Sequence, residues 1–421
     1  MAQIDPKDKK YMITFKRKDQ RPNQRDDKFE LFRHAIGLED VRDILDLSRY
    51  KGNHMTDSIR KTVKTVTDIN SYETPFVFAR LTPYQVGRLR RDPNVLIVEE
   101  DVMWWATEEF QGYQVPKLRA PNAWAAPLNI RGQGANVASI DTGVNPHLDL
   151  GANLKINQNF TARPGTAAED ANHHGTHVAG ITGALEGNNE GIAGIAPNCN
   201  IWNLRAGDQN GGFFQGDSIE AIQYATQNNA HVINMSFGGT GSNTIAAQEA
   251  VTAAWNADII LFGAAGNTGI QEAGFYPAAF TNVIAITNLH EDGTQLFPGV
   301  GFGSSWGTYV DFTCPGHNIQ SLAENNLYRT LSGTSMACPA ASGVAALCVQ
   351  AWNSAPACPP RDPSAKRNAT ILNILAQTAV KTGLSGAGPL GQRDIRYGYG
   401  LLQAGNAVAS LKGLLTSALT A

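Results

Sequence analysis

Four short segments of this 421-residue chain carry residue types that together could perform acyl transfer. Asp141 follows the run Val-Ala-Ser-Ile, and His174 precedes Gly-Thr-His-Val-Ala-Gly. Asn267 ends Gly-Ala-Ala-Gly-Asn, and Ser335 lies in Gly-Thr-Ser-Met-Ala-Cys-Pro. A serine hydroxyl is a weak nucleophile at neutral pH, so it needs an imidazole within hydrogen-bond reach to accept its proton. The combination indicates nucleophilic catalysis rather than four unrelated turns.

Each of these residues suits one task in such a reaction. His174 can act as the general base for Ser335, and a buried, ionised Asp141 can fix the imidazole tautomer and stabilise the imidazolium. Asn267 can donate its side-chain amide to the oxyanion of the tetrahedral intermediate. The backbone N–H of Ser335, at a predicted helix start, would be a second donor that the helix dipole favours.

Short apolar runs ahead of these residues would position them. The runs are rich in β-branched residues and lack strict alternation, as in parallel strands that helices cover on both faces. Glycine-rich turns and small-residue helices separate them, which predicts an α/β fold with a doubly wound, mainly parallel sheet. Active-site groups collect at the carboxyl ends of the strands in such a sheet. The clearest strand candidates are residues 135–140, 200–204, 231–235, 258–262 and 282–287.

The first 107 residues differ from the rest, because Lys and Arg are frequent in them and glycines are few. Strand-like and helix-like patterns alternate, which predicts a separate small α+β, ferredoxin-like domain of one sheet and two helices. The predicted elements are a strand at Tyr11–Phe15, helices within Phe29–Leu47, a strand at Phe76–Leu81, a helix over Thr82–Arg91 and a strand at Val95–Glu99.

Bulk composition excludes several classes of partner. A formal net charge of -3 gives no electrostatic footprint for nucleic acid or an anionic membrane. No apolar run approaches the roughly 20 residues that span a bilayer.

The N-terminus lacks a signal-peptide pattern, so we expect a cytoplasmic or non-classically exported protein, or a secreted one if a native signal was removed. Five scattered cysteines predict buried free thiols, with a Cys348–Cys358 disulfide as the alternative.

In their order along the chain, Asp141, His174 and Ser335 resemble the catalytic motifs of the subtilisin family. Val232–Gly239 is similar to the substrate-binding edge strand of that family, and Tyr397–Leu401 is similar to its C-terminal closing segment. The resemblance covers nearly the whole chain. It implies a monomeric serine endopeptidase that hydrolyses peptides or proteins through an acyl-enzyme, with Asn267 in its oxyanion hole.

Residues 76–101 resemble the end of the family's N-terminal propeptide. The resemblance implies that residues 1–107 are an intramolecular chaperone that later inhibits the enzyme, and that residues 108–421 are the catalytic domain. The junction aligns between Thr107 and Glu108. A self-processing zymogen is therefore implied.

The same resemblance implies where a substrate would bind. An extended peptide would lie between two segments by β-augmentation, which makes recognition broad in sequence. Phe275 stands at the base of the primary specificity pocket, where the family often has glycine, and its ring should shorten the pocket. Trp104-Trp105-Ala106-Thr107 also places a small residue at the predicted cut, so both features predict Ala, Ser or Thr before the scissile bond. The two segments are Ser236, Phe237 and Gly238, and Gly211, Gly212 and Phe213.

Residues 185–192 resemble the calcium loop of the family. A mixture of side-chain and backbone oxygens suits Ca²⁺. Gly187 and Glu190 depart from the common forms of the loop, so a plain Asn/Gly turn is the alternative. The implied ligands are Glu109, Asp149, Leu185, Asn188, Glu190 and Ile192.

Other functions would use the same residues differently. A catalytically silent binding or inhibitory module would keep the fold, although every catalytic position is filled. Zinc binding by His173, His174 and His177 lacks the glutamate of an HExxH motif, and we expect His177 to be a packed or hydrogen-bonded helix residue. An esterase of the α/β-hydrolase type would need a G-x-S-x-G motif, which is absent around Ser335.

Overall fold

Two units divide the chain, Met1–Ala106 and Thr107–Ala421. The structure is a computed structural model. The predicted helices within 29–47, the junction residues Thr107 and Glu108, the calcium candidate Glu109, and Cys358 lie outside the described residues. The structure describes residues 9–16, 63–64, 76–81, 83–100, 112–161, 169–241, 243–294, 303–354, 365–380 and 392–413.

The N-terminal unit contains one antiparallel sheet, in the order β2-β3-β1-β4. Ile13 and Phe15 alternate onto one face and are fully buried together with Leu89 of the helix. The helix begins at Pro83, where a missing N–H costs nothing, and it ends before the turn at Asp92. The elements are β1 (Lys9–Phe15), β2 (Val63–Lys64), β3 (Phe76–Leu81), α1 (Pro83–Leu89) and β4 (Val95–Glu100).

A seven-stranded parallel sheet forms the centre of the larger unit, in the order β11-β10-β9-β8-β5-β7-β6. This confirms the predicted α/β class. Its strands are β5 (Asn136–Asp141), β6 (Leu154–Asn159), β7 (Asn200–Arg205), β8 (Val232–Met235), β9 (Ile260–Ala264), β10 (Ile284–Leu289) and β11 (Val310–Pro315), and a hairpin adds β12 (Ile319–Leu322) and β13 (Tyr328–Leu331). Its helices are α2 (Gln114–Lys117), α3 (Ala120–Trp124), α4 (His174–Gly183), α5 (Gln215–Gln227), α6 (Ile245–Asn256), α7 (Thr334–Ser354), α8 (Arg367–Thr378) and α9 (Ala404–Leu411), with 3₁₀ turns at Gly151–Asn153 and Glu324–Asn326.

Helices cover both faces of this sheet. Val137 and Phe262 point into a core that α4, α7 and α9 share. Ala138, Ile140 and Leu261 point the other way, into a core with α5 and α6. Because both faces are buried, apolar residues stand at neighbouring positions of one strand, which is why the strands lack the alternation of a half-exposed sheet.

Two strands begin later than their patterns predict. β9 begins at Ile260 rather than at Asp258, and β10 begins at Ile284 rather than at Asn282. Asp258 and Asn282 adopt left-handed conformations, with φ of 67° and 75°. Asp and Asn tolerate this conformation and close the turns that precede the strands.

The pattern also missed β6, β11 and the hairpin of β12 and β13. β6 is an edge strand whose exposed positions carry Lys155 and Gln158, so it lacks the apolar run of a central strand. The hairpin packs against α4, where its Ser321 hydroxyl donates to the carbonyl oxygen of His177 at 2.7 Å. His177 Nε2 lies 3.1 Å from the carbonyl oxygens of Ile319 and Arg329, so His177 is a buried, hydrogen-bonded residue.

Helix α7 is long and apolar enough to cross a membrane by length and composition, alone among the described helices. Its 18-residue apolar window is 89 % buried inside the fold. The helix packs against β8, β9, β10 and α4, so its apolar surface is used by the core.

The carboxyl ends of β5, β8 and β9 lie side by side at one edge of the sheet. β5 ends at Asp141, β8 leads into Ser236, and β9 leads into the segment that ends at Asn267. Helices α4 and α7 begin at the same edge with His174 and with Thr334-Ser335. The parallel topology therefore brings segments that are far apart in sequence to one place.

Candidate active site

One open cleft of about 510 Å³ collects the predicted catalytic and substrate-binding residues of the larger unit. His174, Asn267 and Ser335 line it. Asp141 lies behind His174 with 1 % of its surface exposed. The predicted substrate-binding residues Gly211, Gly212, Phe213, Ser236, Phe237, Gly238 and Phe275 all line the same cleft.

Asp141 and His174 form a hydrogen-bonded pair. His174 Nδ1 lies 2.8 Å from Asp141 Oδ1, which also accepts the backbone N–H of Thr142 at 2.7 Å. Asp141 Oδ2 is buried and finds no hydrogen-bond partner among the described residues. Because Nδ1 faces a carboxylate, it carries the proton, and Nε2 of a neutral imidazole is left as the basic nitrogen.

Burial and the surrounding charges set the pKa of His174. Burial by itself would lower its pKa, but the Asp141 carboxylate, through its charge and hydrogen bond, and the charge of Asp170 raise the pKa above the usual 6.5, while Arg329 opposes them. The side chain of His174 remains 25 % exposed, so its free nitrogen can meet a group in the cleft.

Ser335 is the second residue of α7. Its hydroxyl donates to the carbonyl oxygen of Ser236 at 2.9 Å, so the nucleophile candidate touches the edge segment predicted to bind substrate. The first N–H groups of a helix have no partner within the helix, which leaves the Ser335 N–H available at the positive end of the dipole.

Asn267 is fixed from one side by the start of α7. Its Oδ1 accepts both the N–H of Thr334, at 2.8 Å, and the Thr334 hydroxyl, at 3.1 Å. Thr334 Oγ1 in turn accepts the N–H of Gly266 at 3.2 Å. These bonds hold the oxygen of the amide, so its nitrogen is the end left to donate in the cleft. Sequence reasoning missed Thr334 in this role, although it immediately precedes Ser335.

Two aromatic rings join the predicted substrate-binding segments. Phe213 and Phe237 stack with ring centroids 4.0 Å apart and planes 10° from parallel. Phe275 also lines the cleft, between Gly238 and Gly266. A methyl group added at Gly238 would approach its ring to 2.6 Å, and one at Gly266 to 2.8 Å. The Phe275 ring therefore fills the space between the two walls of the cleft.

Hydrogen bonds between Asp149 and the loop at 185–192 connect five of the predicted calcium ligands, Asp149, Leu185, Asn188, Glu190 and Ile192. Asp149 is fully buried, and its carboxylate accepts the Asn188 amide at 2.8 Å, the N–H of Ile192 at 2.9 Å and the Tyr328 hydroxyl at 3.4 Å. The N–H of Leu185 donates to the Asp149 carbonyl oxygen at 2.8 Å, and the N–H of Glu190 donates to Asn188 Oδ1 at 3.1 Å. The oxygen-rich composition fits a hard cation, since a half-turn of the Asn188 amide would place its oxygen beside the carboxylate. Over the described ranges, no three His, Cys, Asp or Glu side chains meet in a metal-binding group.

The cysteines that the structure describes are Cys199, Cys314, Cys338 and Cys348, and all are free and fully buried. Burial raises the pKa of Cys348 to about 12, as expected of an apolar surrounding. These thiols behave as small core residues.

Two groups beside His174 were missed by sequence reasoning. Thr142 and Asp170 are 1 % exposed, and the Thr142 hydroxyl donates to Asp170 Oδ1 at 2.8 Å. Asp170 precedes His174 by four residues and lies outside the N-cap position at His173, so the capping rule does not identify it. Its place in the network depends on Thr142, which is remote in sequence, so spacing alone would not have revealed it.

Comparison with known proteins agrees with this geometry. Residues 132–400 match the Subtilase family. The chain is 35% identical over 340 residues to the thermostable alkaline protease of Halalkalibacterium halodurans, covering 80% of this chain and 83% of the relative. It is 34% identical to the thermophilic serine proteinase of Bacillus sp. strain AK1, over 77% of this chain and 75% of the relative. Thermitase of Thermoactinomyces vulgaris is 38% identical over 58% of this chain and 84% of its own length. The chain belongs to the subtilase family, and it is a subtilisin-like serine endopeptidase.

The raised pKa of His174 predicts the acid limb of activity. A general base works only when it is neutral, so with His174 as the base we expect activity above its pKa and loss of activity as pH falls through it. We expect the acid limb of kcat/KM for an uncharged peptide substrate to have its midpoint above 6.5, and we expect Asp141→Asn to move it downward. A wild-type midpoint at or below 6.5 in a pH–rate profile would contradict this account of the site.

Proposed function

We propose that Asp141, His174 and Ser335 form the catalytic triad of this endopeptidase. The supporting observation is the 2.8 Å bond between Asp141 and His174 beside Ser335 in a single cleft. The Ser335 hydroxyl contacts the Ser236 carbonyl oxygen at 2.9 Å, and we expect it to turn to His174 Nε2 when substrate binds. Catalytic hydrogen bonds often tighten only when substrate is bound.

In the proposed reaction, His174 Nε2 accepts the Ser335 proton as Oγ attacks the scissile carbonyl. Asp141 stays ionised and stabilises the imidazolium. The amide of Asn267 and the N–H of Ser335 then donate to the oxyanion. Protonated His174 gives its proton to the leaving amine. In the second half of the reaction, His174 accepts a proton from the water that attacks the acyl-enzyme and returns it to Ser335 Oγ as the product acid leaves.

We also propose that the chain is a zymogen that cleaves itself between Thr107 and Glu108. Support comes from the sequence resemblance of residues 76–101 and from the small antiparallel sheet of the N-terminal unit. The released N-terminal unit would act as the inhibitor of the catalytic domain. The competing proposal is a protease chain that stays uncut and keeps both parts joined.

Intact-mass spectrometry of fresh wild type and Ser335→Ala separates these proposals. We expect the wild type to appear as two fragments that meet near Thr107/Glu108, and Ser335→Ala to stay whole, because the cut needs the nucleophile. Cleavage of both proteins at that junction would point to an outside protease. If both stay whole, the zymogen proposal is wrong, and if a fluorophosphonate also fails to label Ser335, the triad proposal is wrong.

The place of Phe275 leads us to propose a preference for small residues before the scissile bond. Its ring lies between Gly238 and Gly266, where the side chain of a bound substrate would otherwise enter. Alanine, serine and threonine fit a short pocket, and aromatic side chains do not.

Phe275→Gly tests this preference. We expect kcat/KM for peptides with phenylalanine before the scissile bond to rise at least tenfold or so relative to alanine peptides, because a missing ring opens the pocket. Phe214→Gly is the matched control, since Phe214 is 71% exposed and does not line the cleft. A wild type that cleaves fastest after Phe, Tyr or Leu in a peptide library would overturn the proposal.

We further propose a structural Ca²⁺ in the loop around Asp149. The ligands would be the side chains of Glu109, Asp149 and Asn188 and backbone oxygens of Leu185, Glu190 and Ile192. Bound calcium would compensate the buried negative charge of Asp149 and hold the loop at 185–192 against that residue.

Removal of calcium should therefore lower the thermal midpoint. In the non-cleaving Ser335→Ala protein, we expect EGTA to lower Tm by about 5–10 °C relative to millimolar Ca²⁺. Asp149→Asn should abolish the difference. Asp292→Asn, which removes an exposed carboxylate in another turn, should retain it. An equal Tm with and without EGTA in the parent protein would favour the plain turn.

A further inference from the structure

Asp170 is a buried carboxylate that three separate parts of the site hold at once. Its side chain accepts four hydrogen bonds: Oδ1 from the Thr142 hydroxyl at 2.8 Å and the His173 N–H at 2.9 Å, and Oδ2 from the Thr176 N–H at 2.7 Å and hydroxyl at 2.6 Å. Asn145 clamps its backbone, accepting the Asp170 N–H at 2.9 Å and donating to its carbonyl oxygen at 3.1 Å. The carboxylate is thus fixed in place by its donors.

These bonds determine how the chain enters α4. His173 has a φ of 70°, a left-handed conformation that costs free energy for any residue with a Cβ. The residue makes no side-chain cap of its own. Instead the Asp170 carboxylate binds the N–H groups on both sides of the helix start, at His173 and Thr176. His174 lies between them, so its backbone direction is set by Asp170.

Thr142 connects this carboxylate to the one that His174 touches. Its hydroxyl lies 2.8 Å from Asp170 Oδ1 and 3.3 Å from Asp141 Oδ1, and it accepts the Gly175 N–H at 3.0 Å. A hydroxyl has one proton to donate, and the shorter contact assigns it to Asp170. Asp141 Oδ1 is therefore left to His174 and to the Thr142 N–H.

We propose that Asp170 is a positioning residue for His174, which holds the turn that aims the imidazole and adds a second fixed negative charge that favours the imidazolium of the transition state. The proposal rests on the proposed role of His174 as general base. The charged and titratable groups that act on His174 are Asp141 at the end of β5, Asp170 before α4, His177 on α4 itself and Arg329 on β13. Glu324 lies 3.2 Å from the neighbouring His173.

Electrostatics agrees in direction with this role. Burial lowers the pKa of His174, and after Asp141 the charge of Asp170 is the further contribution that raises it. Removal of that charge should lower the pKa of His174. Removal of a neutral member of the same network should not.

NMR titration of [¹³C]histidine-labelled full chain in the Ser335→Ala background measures this directly, with His174→Ala to assign the signal. We expect Asp170→Asn to lower the His174 pKa by roughly 0.5 to 1 unit, as a charge at this range would. Thr176→Val keeps the charge but removes a hydroxyl from the same network, so it should change the pKa by less than about 0.2 unit while lowering Tm. Glu249→Gln, an exposed residue of α6, controls for net charge.

Kinetics of the proteins with Ser335 intact provide the second readout. We expect Asp170→Asn to move the acid limb of kcat/KM downward by the same amount and to lower kcat about tenfold with little change in KM. If Asp170→Asn does not fold, Asp170→Asn/His173→Gly relieves the left-handed strain and carries the same titration. An unchanged His174 pKa in Asp170→Asn, with Thr176→Val losing as much kcat, would overturn the proposal. A wild type that a fluorophosphonate fails to label at Ser335 would instead refute the triad.

Discussion

A buried carboxylate at the end of β5 is the constraint on which the rest of the site depends. Asp141 terminates β5 with 1 % of its surface exposed, and an ionised carboxylate in such a place is stable only when donors surround it. The Thr142 N–H and the His174 ring supply those donors. The start of α4 must therefore lie against the end of β5, and the parallel sheet is what brings the start of α7 to the same edge. The contact that provides the Asp141 carboxylate with hydrogen-bond donors is therefore the same contact that the proposed triad needs.

Helix starts do much of the chemistry in this fold. His174 and Ser335 both lie in the first turn of a helix, where N–H groups lack partners within the helix. At α4 those groups bind the Asp170 carboxylate, the anion proposed to orient His174. At α7 the N–H of Thr334 fixes Asn267, and the next residue, Ser335, lines the cleft. The backbone N–H groups of the first helical turns thus stabilise the folded site and also take part in the proposed reaction.

The sequence was sufficient to predict the sheet class, most central strands and the residues that meet at its edge. Strands β5, β7 and β8 were predictable because both their faces are buried, and the catalytic motifs stand directly after such runs. β6 could not be predicted in the same way, since its exposed edge carries Lys155 and Gln158. Asp170 was missed because its partner Thr142 lies 28 residues away, so the network exists only in the folded chain. Pairing of Phe213 with Phe237 was likewise invisible, although each residue was expected at the cleft.

The stacked rings of Phe213 and Phe237 also restrict how this cleft can diversify. Each ring covers the face of the other, so replacing one exposes apolar surface on its partner and leaves a gap between the two segments. The stability costs of replacing the two rings are non-additive, since the second substitution costs little once the first has removed their shared contact. Selection would then act on the pair as a single unit, and new substrate preferences in this part of the cleft would arise through linked rather than independent replacements.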